Sequence, residues 1–265
     1  MHVGALALET HAASWIGVLL DGSQTPGPTA VLAGHAVVAV GAVGAGLGAF
    51  AFYSSRVAVH EQLLESAYAA VPQRTTVTGG PHSVYEFGDL GREGRRFVSQ
   101  CYSATELEAV LDRPTRQPVR VFLPLSAQSG SAEQDAAMLV AEIERLGGFD
   151  RGVLVLSAPT GDGYVSYVHT ETVELLTSGD CTTIAVQYAS VPSAIAFPKR
   201  EKYAEAFAVY AEVLARRAHE LNPGARLYIF GKSLGSIVSL DSLGPEHVRS
   251  FETFGYAGGL YCGVP

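Results

Sequence analysis

A serine between two glycines is the part of this chain best suited to chemistry. The segment Gly231-Lys232-Ser233-Leu234-Gly235 follows the apolar run 226–230 (RLYIF) and precedes residues that favour a helix. A serine on a tight strand-to-helix turn carries its hydroxyl above the sheet, and the flanking glycines leave room for the sharp bend. The backbone N–H of Leu234 and the positive amino end of the helix point to where an oxyanion would form. The pattern therefore predicts that Ser233 is a nucleophile in acyl transfer.

Gly-Lys-Ser also ends the phosphate-binding loop of many nucleotide-binding proteins. That loop has the pattern G-x-x-x-x-G-K-[ST], which requires a glycine at position 226. Position 226 is an arginine, the nearest upstream glycine is Gly224, and an apolar run leads directly into Gly231. The glycine-rich loop that would wrap phosphates is therefore absent from this stretch, and a P-loop ATPase is only a third hypothesis.

A second glycine-containing loop follows another apolar run. Residues 153–158 (VLVLSA) are nearly all apolar, as in a strand covered on both faces, and Pro159-Thr160-Gly161-Asp162-Gly163 comes next. A loop at this position in serine hydrolases presents the second N–H donor to the oxyanion. Thr160 and Gly161 are the candidates, because glycine permits close approach of the backbone. An ordinary β-turn is the alternative that the sequence leaves open.

A nucleophilic serine needs a base and an orienting acid, normally in the chain order Ser, acid, His. The residues after Ser233 include four candidates: Asp241, Glu246, His247 and Glu252. Asp241 falls in the helix expected after the turn, and the other candidates do not place an acid and a base after two later strands. The histidines between residue 57 and Ser233 precede the serine and so have the wrong order: His60, His82, His169 and His219. The acid and the histidine are therefore expected outside these 265 residues.

Composition restricts the class of protein. The chain has 265 residues, a formal net charge of −8 and 48% hydrophobic residues, and its mean hydropathy is +0.19. The acidic balance does not fit a nucleic-acid surface. The three cysteines, Cys101, Cys181 and Cys262, have no metal-binding spacing, so neither a metal nor a cofactor is predicted.

An uncharged segment near the amino terminus predicts a membrane helix. No Asp, Glu, Lys or Arg occurs between Asp21 and Arg56, and residues 29–53 exceed the roughly 20 apolar residues that span a bilayer. Residues 3–20 are a possible second helix, and residues 1–56 are interpreted as a membrane anchor. Gly44 and Gly48 form a GxxxG pair that favours packing against another membrane helix. Arg56 follows this segment, and a positive charge there favours a cytoplasmic location for the chain after the helix. Very few charges contribute to this orientation.

The remaining chain predicts an α/β fold with a mostly parallel sheet. Residues 57–118 read as a linker with turn-rich composition and one basic cluster, Gly91–Arg96, interpreted as a solvated loop. From residue 119, strand-like runs alternate with helical patterns. The predicted strands are 119–125, 153–158, 182–188, 226–230 and 251–256; the predicted helices are 132–146, 170–176, 199–221 and one starting at 236.

These features resemble a family of bacterial membrane proteins with an amino-terminal transmembrane region and a carboxyl-terminal α/β-hydrolase domain. The resemblance covers roughly residues 78–265, and the hydrolase domain is predicted at residues 119–265. The matching segments are Leu90-Gly91, Gly94-Arg95-Arg96-Phe97-Val98, Gly148-Phe149-Asp150-Arg151, Pro159-Thr160-Gly161 with Gly163, Gly179-Asp180, Gln187-Tyr188, Pro192-Ser193 and Ser233-Leu234-Gly235. The resemblance implies that Ser233 is the nucleophile. The family domain continues past a segment similar to 263–265, which implies a truncated, incomplete hydrolase domain.

The combined prediction is a serine hydrolase in the bacterial cell membrane that cleaves small-molecule or lipid carboxyl esters. Its partners are the ester substrate and the lipid bilayer, without nucleic acid. The alternative is a catalytically incomplete, hydrolase-like membrane protein that serves as an interaction module or is a gene remnant. Loss of final strands would expose a sheet edge, which invites pairing with other chains.

Overall fold

The computed structural model describes residues 2–22, 25, 27–62, 66–244 and 247–263, of which 2–8, 54, 56–62 and 247–250 are described by their backbone alone. The chain divides into two units, Met1–Val57 and Ala58–Pro265. The strands are β1 Val119–Leu123, β2 Val153–Ala158, β3 Cys181–Val186, β4 Arg226–Lys232 and β5 Tyr256–Cys262. The α-helices are α1 His2–Asp21, α2 Pro28–Gln62, α3 Gly91–Ser99, α4 Ala104–Leu111, α5 Ala132–Arg145, α6 Tyr167–Leu176, α7 Ser193–Ala196, α8 Arg200–Leu221, α9 Leu234–Ser242 and α10 His247–Phe254.

The five strands form one parallel sheet in the order β1-β3-β2-β4-β5. Every residue of β2 and β3 is buried, as expected of parallel strands covered on both faces. Because all strands point the same way, the loops after β2, β3 and β4 meet at the carboxyl edge of the sheet. The predicted α/β class with a parallel sheet is therefore confirmed.

Helices cover the two faces of the sheet separately. Apolar side chains of α5, α8 and α9 pack with alternate residues of β1, β2, β3 and β4 in the largest buried cluster. On the other face, α3 packs against Phe122 of β1, and α6 packs against Val155 and Phe230. The amphipathic helices predicted at 132–146 and 199–221 correspond to α5 and α8.

The basic cluster predicted as a solvated loop is helical. Residues 91–96 lie in α3, in which Glu93, Gly94, Arg95, Phe97 and Val98 are buried. A Cβ on Gly94 would lie 2.6 Å from the Phe122 ring, so glycine lets this helix approach β1 closely. The loop prediction was wrong because the contact that selects a helix here joins residues far apart in the chain.

The last strand also differs from the prediction. The segment predicted as a strand, 251–256, lies mostly in α10, and β5 follows it at Tyr256–Cys262. Gly258 and Gly259 disfavour a strand by propensity, but pairing with β4 satisfies the backbone of this segment.

The unit Met1–Val57 contains two helices in close contact. A Cβ on Gly34 would overlap the carbonyl of Ala13, and Glu9 Oε1 lies 2.6 Å from His35 Nδ1. Within the described residues, one segment, Pro28–Tyr53, is long and apolar enough to span a membrane, with a mean hydropathy of 1.9. A buried helix or a signal sequence meets the same criterion. No described atom lies within 4 Å of a Cβ added to Gly44 or Gly48.

A buried ion pair joins β1 to α6 in the second unit. Arg120 Nε donates to Glu174 Oε1 at 2.7 Å, and both side chains are at most 1% exposed. Arg120 Nη1 also donates to the Phe97 carbonyl, and Glu174 accepts from the Tyr102 N–H. Burial is the largest single effect and by itself lowers the pKa of Arg120, but the charge and hydrogen bond of Glu174, with Cys101 and Glu171, together outweigh it and the net pKa is raised. The pair therefore links α3, β1 and α6, and within the described residues Arg120 Nη2 is the one nitrogen of this guanidinium that is buried without a hydrogen-bond partner.

We expect Glu174→Gln to lower the free energy of unfolding by about 3–5 kcal/mol, because it leaves the Arg120 charge buried without its counterion. Urea unfolding of the full chain in neutral detergent, followed by far-ultraviolet circular dichroism, measures the change. Glu212→Gln is the control, since it removes an exposed ion pair with Arg216 worth about 0.5 kcal/mol or less. Equal unfolding midpoints for the two variants would contradict the prediction.

Candidate active site

Ser233 lies at the turn between β4 and α9. It has φ 54° and ψ −124°, a conformation that residues other than glycine rarely adopt. Such a residue costs of order 1–3 kcal/mol and persists only when its surroundings hold it in place. The strand-turn-helix geometry predicted for Ser233 is therefore present, and its backbone is strained.

The two flanking glycines lie where the backbone of the turn meets its neighbours. A Cβ on Gly231 would lie 2.6 Å from Ser236 Cα, and one on Gly235 would overlap the carbonyl oxygens of Ala158 and Pro159. Neither position accommodates a side chain without a shift of backbone. Gly235 thus holds the start of α9 against the end of β2.

Hydrogen bonds fix the turn on its other side. The Ser233 N–H donates to the Cys262 carbonyl at 2.8 Å, and the Ser236 hydroxyl donates to the same oxygen at 3.0 Å. The Ser236 N–H donates to the Ser233 carbonyl at 2.9 Å. The end of β5 therefore holds Ser233 in its strained conformation.

The Ser233 hydroxyl faces a recess of about 460 Å³. We call it the acyl recess; it is lined by Ser193, Ala194, Phe197, Ser233, Leu234, Ile237 and Gly263. Leu234 is the first residue of α9, so its N–H has no acceptor within the helix. Most of the lining side chains are apolar, and among those described the Ser193 hydroxyl is the one polar side chain that lines the recess beside Ser233. This combination is typical of a small-molecule binding site.

Ser193, at the start of α7, is the polar side chain nearest to Ser233 among those described. The two Oγ atoms are 3.5 Å apart, and Ser193 Oγ accepts from the Gly161 N–H at 3.1 Å. No sequence pattern around Ser193 indicates this role, because the contact depends on how the loop after β3 folds over the loop after β2.

The loop after β2 forms the turn that the sequence left open as an alternative. The Gly163 N–H donates to the Thr160 carbonyl at 2.9 Å, and the Thr160 N–H donates to the Tyr164 carbonyl at 3.1 Å. A Cβ on Gly161 would lie 2.7 Å from the Val191 carbonyl, so glycine is required by packing. In this structure the N–H groups of Thr160 and Gly161 both donate to protein acceptors, and the acceptor for Gly161 is the Ser193 hydroxyl oxygen.

The candidate bases and acids lie elsewhere among the described side chains. His169 stacks on Phe230 with ring centroids 3.6 Å apart, and burial lowers its pKa to about 4. His219 lies beside Gly255, His82 is exposed, and no described histidine or carboxylate is within hydrogen-bond distance of Ser233 Oγ.

The remaining candidate acids and bases are either exposed or have side chains outside the described residues. Asp241 and Glu252 are exposed. His60, Glu246 and His247 have side chains outside the described residues. In the described part of the chain, no group of three or more His, Cys, Asp or Glu side chains could hold a metal ion.

Comparison with protein families gives two matches. Residues 119–265 match the model described as "Alpha/beta-hydrolase family", and residues 6–101 match "Alpha/beta-hydrolase family N-terminus". Neither the search of curated proteins nor that of solved structures found a match. The first family model covers more than half of the chain, including β1 to β5 and Ser233. The chain therefore belongs to the alpha/beta-hydrolase family.

Proposed function

We propose that the protein is a membrane-anchored serine hydrolase that cleaves carboxyl esters through Ser233. The observation that carries the proposal is the left-handed backbone of Ser233, held between β2 and β5 with its hydroxyl at the acyl recess. Strain of this kind clusters at active sites, where it is part of the mechanism. The resemblance that identified Ser233 from the sequence points to the same residue.

The proposed reaction is acyl transfer in two steps. Ser233 Oγ attacks the ester carbonyl, and a bond forms between this oxygen and the acyl carbon. The serine proton passes to the leaving alcohol through a general base, which lies outside the described side chains. The carbon–oxygen bond to the alcohol then breaks. Water attacks the acyl-enzyme in the second step, which releases the carboxylic acid and returns the proton to Ser233.

The oxyanion would be stabilised from two sides. The Leu234 N–H lies at the amino end of α9, where the helix dipole favours negative charge. On the other side, Ser193 Oγ accepts from the Gly161 N–H, which leaves the Ser193 hydroxyl hydrogen available to donate toward the reacting carbonyl. We therefore propose that the loop of Thr160 and Gly161 acts on the oxyanion through Ser193.

The acyl recess favours an apolar acyl group. Ala194, Phe197 and Ile237 line it beside Ser233, and its volume of about 460 Å³ lies in the range of ligand pockets, about 300–1,000 Å³. Membrane anchoring would bring such a site close to lipid esters. The apolar residues of Pro28–Tyr53 are almost all exposed in the isolated chain, which supports a lipid environment for this helix.

We expect Ser233→Ala to abolish labelling of the membrane-bound chain by a fluorophosphonate probe, because the probe bonds covalently to an activated serine. In-gel fluorescence at equal protein amounts measures the labelling. Ser126→Ala, which removes an exposed serine hydroxyl away from the turn, is the matched control and should label as the wild type does. Labelling that survives the change at Ser233 would remove the nucleophile assignment.

We expect Ser193→Ala to lower kcat for para-nitrophenyl butyrate by about 10²–10³-fold, the effect of removing one oxyanion donor. KM should change much less, since the donor acts mainly in the transition state. Steady-state kinetics in neutral detergent measure both constants, again with Ser126→Ala as control. An unchanged kcat would show that Ser193 is not an oxyanion donor.

We expect the chain to stay in the membrane pellet after alkaline carbonate extraction, and the double change Val40→Arg with Val43→Arg to release it. Both valines are exposed on α2, and each charge near the centre of a membrane helix costs about 2.5–3.5 kcal/mol. Val110→Arg, at an exposed valine of α4, is the control and should leave the chain in the pellet. Retention of the double variant would argue against membrane insertion of this helix.

A further inference from the structure

A second recess lies beside the active site, on the far side of Ser193 from the acyl recess. We call it the cationic recess. It has a volume of about 410 Å³, and Arg92 and Arg96 of α3 line it together with Thr160, Tyr164 and Ser193. Ser193 lines both recesses, and its Oγ is 3.5 Å from Ser233 Oγ. A molecule of modest size at Ser233 therefore reaches both recesses.

Arg96 is held in place but its charge is only loosely paired. Its guanidinium carbon lies 5.7 Å from the centre of the Tyr164 ring and 5.9 Å from that of Tyr68. In the described part of the chain, its nearest ion-pair partner is Glu93, with Nη1 and Oε2 3.8 Å apart. In the buried ion pair of Arg120 and Glu174, by comparison, the nitrogen–oxygen distance is 2.7 Å.

Lys232 places a third cation next to Tyr164, a residue that lines the cationic recess. Its Nζ lies 4.7 Å from the centre of the Tyr164 ring, which Arg96 also approaches. Lys232 directly precedes Ser233, so the turn that positions the nucleophile also positions this ammonium group. Cations near a tyrosine face are attracted by the ring, which fixes their direction without neutralising their charge.

In the described part of the chain, two carboxylates line this recess: Glu93, which is near both arginines, and Asp162, which is bound within its own loop. Glu93 lies 3.7 Å from Arg92 and 3.8 Å from Arg96. Asp162 accepts from the hydroxyl of Thr160 and from the Tyr164 N–H. Among the described residues, three cations, Arg92, Arg96 and Lys232, thus lie close together beside the nucleophile in a chain whose formal net charge is −8.

We propose that the cationic recess binds the phosphate or carboxylate group of an ester substrate whose apolar acyl chain occupies the acyl recess. The inference rests on the proposed function for its catalytic part and names the substrate class, an anionic amphiphilic ester. Arginine suits this task because its planar guanidinium donates several N–H bonds to phosphate or carboxylate oxygens. Parallel α/β sheets bind ligands at the carboxyl ends of their strands, and both recesses lie at that edge.

The test compares two esters that differ only by a phosphate, monooleoylglycerol and its phosphate monoester, with the full chain in neutral detergent. We expect the wild type to release oleate from the phosphorylated ester with a higher kcat/KM. Arg96→Gln should lower the ratio of kcat/KM for the two esters by about 10- to 100-fold, the loss of one hydrogen-bonded charge contact. Arg216→Gln removes the same charge from an exposed site on α8 and should leave the ratio unchanged.

Binding of inorganic phosphate, measured by calorimetry, separates the two proposals. Ser233→Ala should bind phosphate as the wild type does, whereas Arg96→Gln and Arg92→Gln should bind it more weakly. If the wild type cleaves neither ester, the proposed function fails, and weaker phosphate binding by the arginine variants still supports the cationic recess. A ratio or a phosphate affinity that stays the same in both arginine variants overturns the inference. A matched hemisuccinate ester in place of the phosphate monoester then shows which anion is preferred.

Discussion

The approach of backbone to backbone at the turn after β4 is the constraint on which the site depends. Gly235 packs directly on the carbonyl oxygens of Ala158 and Pro159, and the Ser233 N–H donates to the Cys262 carbonyl. The turn is therefore held by β2 on one side and β5 on the other. Because β4 lies between β2 and β5, the strand order brings both contacts to the turn that holds the strained backbone of Ser233.

Much of this arrangement could be predicted from local pattern. The apolar run of β2 is a strand buried on both faces and that of β4 is buried over most of its length, and such runs are recognisable without knowledge of their partners. The glycine spacing around Ser233 predicts a tight turn because the reason for it is steric and local. The strand order, by contrast, follows from crossover connections that no single segment encodes, and only the structure shows which strand ends border the serine.

The parts that the sequence did not predict depend on distant contacts. Gly94 reads as a helix breaker by propensity, yet it is the residue that lets α3 pack on Phe122. Tertiary packing thus converts an apparent loop into a helix and places its arginines at the carboxyl edge of the sheet. Ser193 belongs to a segment that carries the family resemblance, but its role was not predicted, since nothing in the sequence near it indicates that it meets Gly161 and Ser233.

Ser193 lines both recesses, so a single substrate can explain both of them. An ester that binds with its carbonyl at Ser233 must direct its two halves to opposite sides, and the sides available differ in polarity: Phe197 and Ile237 on one, Arg92 and Arg96 on the other. An apolar molecule would make no ionic contact with the arginines, and a wholly polar molecule would make no favourable contact with the apolar side chains. An amphiphile satisfies both, and amphiphiles concentrate at membrane surfaces. The proposed substrate class and the proposed membrane helix therefore agree with each other, because both place the reaction at a lipid surface.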